Sequence, residues 1–133
     1  MSESTEDERS TDNTLAMYIF VNNDLGMGKG KTAGQVGHVV HYLIKHLEQS
    51  CCYENPIPDF CKRYKRWEKE GCAKIVLKAT TAQLEELLKL PESEYVIDAG
   101  KTQIAPNSMT AVGFCPNTKS AMYHITKDYK LLS

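Results

Sequence analysis

The sequence predicts an α/β fold: a single three-layer domain with a four-stranded mixed, mainly parallel sheet flanked by helices, in the order β-α-α-β-α-β-β-α. Three observations carry this. Four short runs rich in β-branched and aromatic residues are interspersed with stretches whose apolar residues recur at helical spacing. Helical patterns separate the first three of these runs, and strands joined through helices favour parallel pairing. The chain of 133 residues has the length of one domain able to bury its own core.

The first strand is the apolar run Met17 to Val21, closed by the turn-prone Asn22-Asn23-Asp24. A glycine loop, Gly26-Met-Gly-Lys-Gly30, leads into a helix from about Lys31 to Gln49. Its apolar residues Ala33, Val36, Val40, Leu43, Ile44 and Leu47 form the expected buried stripe. At about 100° per residue, Lys31, Gln35, His38 and Tyr42 are expected on the opposite side. The stretch Cys51 to Pro58 carries two prolines and reads as a loop. Asp59 is the expected cap of a second helix, Phe60 to Glu70, stopped by Gly71. Ala73 to Ala79 reads as the second strand. Thr80 with Gln83 makes a capping box for a third helix, Thr81 to Leu90, ended by Pro91. Tyr95 to Asp98 and Met109 to Cys115 are the third and fourth strands, and Asn117 caps a final helix to about Thr126.

No apolar run approaches the roughly 20 residues of a membrane span, and the start of the chain lacks the basic and apolar segments of a secretory signal. The expected address is therefore cytoplasmic. Residues 1–16 hold Glu3, Glu6, Asp7, Glu8 and Asp12 against Arg9, and are expected to be a disordered acidic tail preceding a domain over 17–133. Without that tail the chain has 15 Lys+Arg against 12 Asp+Glu, a mildly cationic body. The five cysteines (Cys51, Cys52, Cys61, Cys72, Cys115) form no C-x-x-C pair, and an odd count without a secretory signal argues for reduced thiols. A zinc site of Cys51, Cys52, Cys61 and His46 matches no familiar ligand spacing. No metal or cofactor is expected.

A strand, a glycine loop and a helix start favour an anion, because free N–H groups and the helix dipole converge there. Gly30-Lys31-Thr32 ends like a P-loop, but the first glycine would have to occupy the position of Leu25. Gly28-x-Gly30-x-x-Ala33 nearly fits a dinucleotide fingerprint, yet Asn22 to Met27 separate it from the strand. A longer pattern explains more residues. The segment Asn23-Asp-Leu-Gly-Met-Gly-Lys-Gly-Lys-Thr-Ala-Gly-Gln35, with His38 a turn later, resembles the first signature of the type-2 peptidyl-tRNA hydrolase family. Asp98-Ala-Gly-Lys-Thr-Gln-Ile-Ala-Pro-Asn-Ser-Met-Thr110, continuing through Gly113 to Pro116, resembles the second, and Ile125-Thr126 with Lys130-Leu131-Leu132 the closing segment. The resemblance spans about Met17 to Leu132.

It implies hydrolysis of the ester bond of peptidyl-tRNA, with peptidyl-tRNA engaged at its acceptor end, as a homodimer and without a cofactor. It points to Lys31, Asp98, Thr102 and Thr110 as the catalytic centre. The Ala99 N–H, Lys29, Gln35 and His38 are expected beside the substrate. In a triad-free site, water is the expected nucleophile. Lys62, Arg63, Lys65, Arg66 and Lys69, with Tyr64 and Trp67, form the densest basic patch and the candidate RNA contact, although Trp67 is expected to pack inward. Taken singly, these residues have ordinary explanations: a Lys-Asp pair is often a surface salt bridge, and a charged helix face is often only solvated. The alternative function is a catalytically silent RNA- or protein-binding module of the same fold. The chain departs from the family pattern at Asn22, where Arg is usual, at Gly34 (Ala) and at Asn107 (Gly), the last expected to be left-handed. Ser50 to Cys61 looks expanded, and the segment between Leu88 and Tyr95 looks short.

Overall fold

The computed structural model describes residues 8–51, 56–99 and 107–133. Its elements are β1 (Leu15–Asn22), α1 (Lys29–Cys51), α2 (Asp59–Lys69), β2 (Lys74–Ala79), α3 (Thr81–Leu87), β3 (Ser93–Ile97), β4 (Met109–Phe114), β5 (Asn117–Thr118), α4 (Lys119–Thr126) and β6 (Lys130–Leu131). All eight residues of β1 are buried, as befits a central strand covered on both faces. No described helix is long and apolar enough to cross a membrane.

The sheet corrects the expected architecture. It has six strands, not four, in the order β3-β4-β1-β2-β6 with β5 paired to β1, and it is mostly antiparallel. Among the described residues only β1–β2 is parallel; β1–β4, β1–β5, β2–β6 and β3–β4 are antiparallel. The reason lies in adjacency, not direction. Strands β1, β2 and β3 do point the same way, as helical crossovers require. However, β4 returns from β3 through a loop and inserts between β3 and β1, so both of its neighbours run against it. The two missed strands, β5 and β6, are two residues each, too short to show alternation.

Packing divides the apolar residues between two faces. On one, α1 and α2 cover Leu15, Met17, Ile19, Val21 and Val96 with Val39, Leu43, Leu47 and Trp67. On the other, α3 and α4 cover Tyr18, Phe20, Val112 and Phe114 with Leu84, Leu87 and Met122. Gly113 lets α1 sit close to the sheet, for a Cβ there would lie 2.9 Å from Leu43 Cδ1 and 3.0 Å from a methyl of Val39. The Thr80–Gln83 capping box forms as expected, with Thr80 Oγ1 accepting from Gln83 N–H at 3.1 Å and Gln83 Oε1 from Thr80 N–H at 2.8 Å. Helix α3 ends at Leu87, shorter than Thr81 to Leu90.

Three other features depart from or extend the sequence reading. Helix α1 buries Gln35, Val39, Leu43 and Leu47, the line that continues back to Lys31 at four-residue steps. Lys31 and Gln35 therefore lie on the inward face, not opposite it, while His38 and Tyr42 are exposed. Cys51 and Cys61 are joined in a disulfide, with Cα atoms 5.6 Å apart, against the expectation of reduced thiols; Cys52 lies outside the described residues. Of the acidic segment 1–16, residues 8–16 are described: Glu8–Ser10 form a 3₁₀ turn, the Arg9 guanidinium lies 5.4 Å from the Tyr123 ring centroid, and Leu15 and Ala16 belong to β1.

Candidate active site

The shared direction of β1, β2 and β3 brings their C-terminal ends to one rim of the sheet, where open α/β sheets place their ligands. The glycine loop leaves β1 there, Asp98 follows β3 there, and β4 begins there. Asn22, the last residue of β1, ties the rim together. Its buried amide donates to Thr81 Oγ1 at 2.9 Å and to the Met109 carbonyl at 2.8 Å, and its Oδ1 accepts from Asp24 N–H at 2.8 Å. Asp24 in turn accepts from Thr81 N–H at 2.8 Å. Asn22 is thus a structural latch between β1, α3 and β4.

Asp98 is held by its own backbone: its N–H donates to Ser108 O and its carbonyl accepts from Asn107 N–H, both at 2.9 Å. Asn107 has φ +65°, the left-handed position expected of it. The Asp98 carboxylate, 6% exposed, is ion-paired with Lys31 Nζ in the first turn of α1, whose side chain is 14% exposed. A pair so withdrawn from water, unlike a surface bridge, is electrostatically strong and costly to leave half-made.

Thr110 reaches the same site through a β-bulge. The β3–β4 register passes from Val96↔Ala111 to Ile97↔Met109, so Thr110 is the extra residue on β4. A bulge breaks the strict alternation of faces and re-aims a side chain. Here it turns Thr110 toward α1, where its hydroxyl donates to Gln35 Oε1 at 2.6 Å. Both residues are buried. With its oxygen so occupied, Gln35 keeps an Nε2 amide for which the described residues provide no partner.

Beside these groups opens a cavity of about 300 Å³ whose walls include Lys31, Gln35, His38, Tyr42, Asp98 and Ala99, with Val96 and Ile97 of β3. The His38 and Tyr42 rings are stacked, with centroids 6.5 Å apart. Of the residues singled out from sequence, Lys31, Gln35, His38, Asp98 and Ala99 line this cavity, and Thr110 is bonded to its wall. Lys29 is exposed at the start of α1, lining a neighbouring groove with Met27, Thr32 and Leu132. Thr102 lies outside the described residues. Tyr42 and the β3 residues Val96 and Ile97 were not singled out as site residues; the one signal for the latter pair was their place directly before Asp98.

The basic helix divides its residues between surface and core, with Trp67 inward as expected. Lys62 and Lys65 are exposed. Arg63 is committed to structure, its Nε donating to the Pro116 carbonyl at 2.9 Å and its guanidinium paired with Glu92. Arg66 donates to the Asn13 carbonyl at 2.8 Å and pairs with Glu70 at 3.0 Å. Tyr64 and Trp67 are buried, and the indole N–H donates to the Ala73 carbonyl at 2.7 Å. Neither ring offers a face to a base.

The family model described as Peptidyl-tRNA hydrolase PTH2 matches residues 15–132. The peptidyl-tRNA hydrolase of Sulfolobus acidocaldarius is 35% identical over 127 residues, covering 89% of this chain and 100% of that protein. The peptidyl-tRNA hydrolase of Methanococcus vannielii is 38% identical over 121 residues, covering 86% and 96%. That of Saccharolobus solfataricus is 35% identical over 129 residues, covering 89% and 99%. Matched over nearly its whole length, this chain belongs to the PTH2 family of peptidyl-tRNA hydrolases.

Proposed function

We propose that the chain hydrolyses the ester joining a peptide to the terminal ribose of tRNA, releasing free tRNA and peptide by direct attack of water. The observation that carries this reading, given the family, is the withdrawn Lys31–Asp98 pair opening onto a cavity beside the Gln35–Thr110 hydrogen bond.

In this reading Asp98, paired with Lys31, orients the attacking water and takes up its proton. The carbonyl oxygen gains negative charge as the tetrahedral intermediate forms. The Gln35 amide, fixed by Thr110, and the Lys31 ammonium are preorganised to meet that charge. The Ala99 N–H and Thr102 are further proposed contacts, with Thr102 relaying a proton to the leaving ribose oxygen. His38 stands at the cavity mouth as a contact to the acceptor end. Lys29, beside the glycine loop, and the exposed Lys62 and Lys65 supply the cationic contacts to tRNA phosphates. Arg63 and Arg66 act in this reading by holding α2 in place.

The intact pairings disfavour the silent-module alternative, since a descendant released from chemistry has no reason to keep a buried ion pair aimed at a cavity. A cytoplasmic address and a homodimer complete the proposal; sedimentation at micromolar concentration tests the second.

The experiment is release of free tRNA from N-acetyl-aminoacyl-tRNA by the purified chain, beside Gln35→Leu. Turnover by the wild type, with kcat down about 10²–10³-fold in the variant, is expected for loss of one preorganised donor. A folded wild type that binds tRNA and leaves the ester intact overturns the enzyme and leaves a binding module.

A further inference from the structure

Strand β3 ends the sheet, and its outer edge runs straight into the site: Ile97 and Asp98 line the catalytic cavity. An antiparallel pair alternates residues that bond their neighbour with residues that face away. Cys115 N–H donates to Glu92 O at 3.0 Å and Asp98 N–H to Ser108 O at 2.9 Å, so the even-numbered residues from Glu92 to Asp98 face β4. Ser93, Tyr95 and Ile97 therefore turn their N–H and C=O groups outward, and no described strand pairs with them. Tyr95 and Ile97, at 47% and 43% exposed, place apolar side chains beside these outward groups. A groove flanks this edge. The catalytic cavity and a second cavity of about 210 Å³, lined by Lys45, His46 and Glu94, share Tyr42. Together they follow the gap between α1 and β3 away from Asp98.

We infer that the outer edge of β3 binds the peptide moiety of the substrate as an added strand, parallel to β3. The inference rests on the peptidyl-tRNA reading above. The ester carbonyl must reach Lys31 and Asp98, at the C-terminal end of β3. A peptide leading up to it along the edge then runs in the same direction as β3. Backbone pairing suits this substrate, because it grips any peptide regardless of side chains. At about 3.3 Å per residue, the edge from Ser93 to Ile97 engages roughly five peptide residues. The exposed Tyr95 and Ile97 side chains flank the added strand on the face opposite α1.

The test uses N-acetyl-oligoalanyl-tRNAs carrying one to six residues. With wild type, KM is expected to fall as the peptide lengthens to about five residues and then level off. N-methylation of single peptide amides, in the five-residue substrate, is expected to raise KM about tenfold at every second position and little at those between. Tyr95→Pro removes an outward N–H without breaking the ladder to β4, a site where an edge strand tolerates proline. It is expected to bring the KM of the five-residue substrate up toward that of the one-residue substrate. If this variant fails to fold, the N-methyl series on wild type decides alone. Turnover of the one-residue substrate with KM independent of length, or N-methyl effects without a two-residue period, overturns the inference and leaves the enzyme standing. Dissociation of a homodimer by Tyr95→Pro with KM unmoved also overturns it, assigning the edge to a second copy. A wild type inert toward every length removes the functional reading and this inference with it.

Discussion

Asp98→Asn separates what the Lys31–Asp98 pair does for folding from what it does for chemistry. The substitution keeps shape and removes one charge, leaving the Lys31 ammonium 14% exposed with its partner neutralised. Orphaning a fully buried charge costs about 3–5 kcal/mol, and losing a surface bridge at most about 1. Lys31 lies between these limits because it opens onto a cavity wide enough for water, so a loss of about 2 kcal/mol is expected. For a chain of this size that lowers Tm by roughly 6–10 °C. In the hydrolysis assay the same variant should lose at least about 10² in kcat/KM, as expected when a group acting on the reacting atoms is removed. The double variant Lys31→Met, Asp98→Asn then discriminates. Replacing both charges of a withdrawn pair is neutral or stabilising, so Tm should recover toward wild type while activity stays lost. Scanning calorimetry beside single-turnover kinetics reads both quantities. The reasoning is refuted if Asp98→Asn retains kcat/KM within tenfold of wild type. It is refuted equally if the double variant melts below the single one, for then the pair is not what the folded state loses.

Gly113→Ala places a methyl 2.9 Å from Leu43 Cδ1, and overpacking of this kind should cost about 1–3 kcal/mol in urea denaturation. Reduction of the Cys51–Cys61 disulfide reopens a ten-residue span and should lower stability by about 2–3 kcal/mol; intact-mass measurement before and after reductant establishes the bond first. Burial pushes the Cys115 thiol from its usual 9.0 up to about 12, so in native protein at pH 8 it should escape iodoacetamide and label only after unfolding. The unfolded thiol ionises from about pH 9 while the folded one stays protonated. Its contribution to stability should therefore fall as pH rises from about 9 to 12, and rapid native labelling at pH 8 would contradict the burial.

Much of the local structure was legible because local physics decides it. The Thr80–Gln83 capping box, the left-handed Asn107 and the break at Gly71, with φ +108°, depend on a few adjacent residues and appear where expected. Pairing was not legible, because it depends on which strand inserts between which. Helical crossovers fixed the direction of β1, β2 and β3, but nothing in β4's own residues states that it enters between β1 and β3. The disulfide was not legible either: an odd cysteine count without a secretory signal argues for reduced thiols, and only the docking of α2 on the end of α1 shows Cys51 and Cys61 to be within bonding reach.

The site shows the same division at finer scale. Five of the residues that line the cavity, Lys31, Gln35, His38, Asp98 and Ala99, belong to the two signatures, but Lys31 and Gln35 lie on the opposite face of α1 from the one expected. A stripe of Ala33, Val36, Val40, Leu43, Ile44 and Leu47, without Val39, places Lys31 and Gln35 on the outward side of the helix. With Val39, Leu43 and Leu47 as the centre, Lys31 and Gln35 become the polar continuation of the core line, placed where the sheet ends. That line would still meet no hydroxyl if β4 alternated regularly, for in such a strand Thr110 and Ala111 face opposite sides. The bulge between Met109 and Ala111 puts both on the α1 face, so a one-residue irregularity in β4 is what allows Thr110 to hold Gln35. Alternation cannot reveal an exception to itself. The Asn22 amide, bonded to the Met109 carbonyl at the mouth of that bulge, is therefore part of the site's construction, although it touches no wall of the cavity.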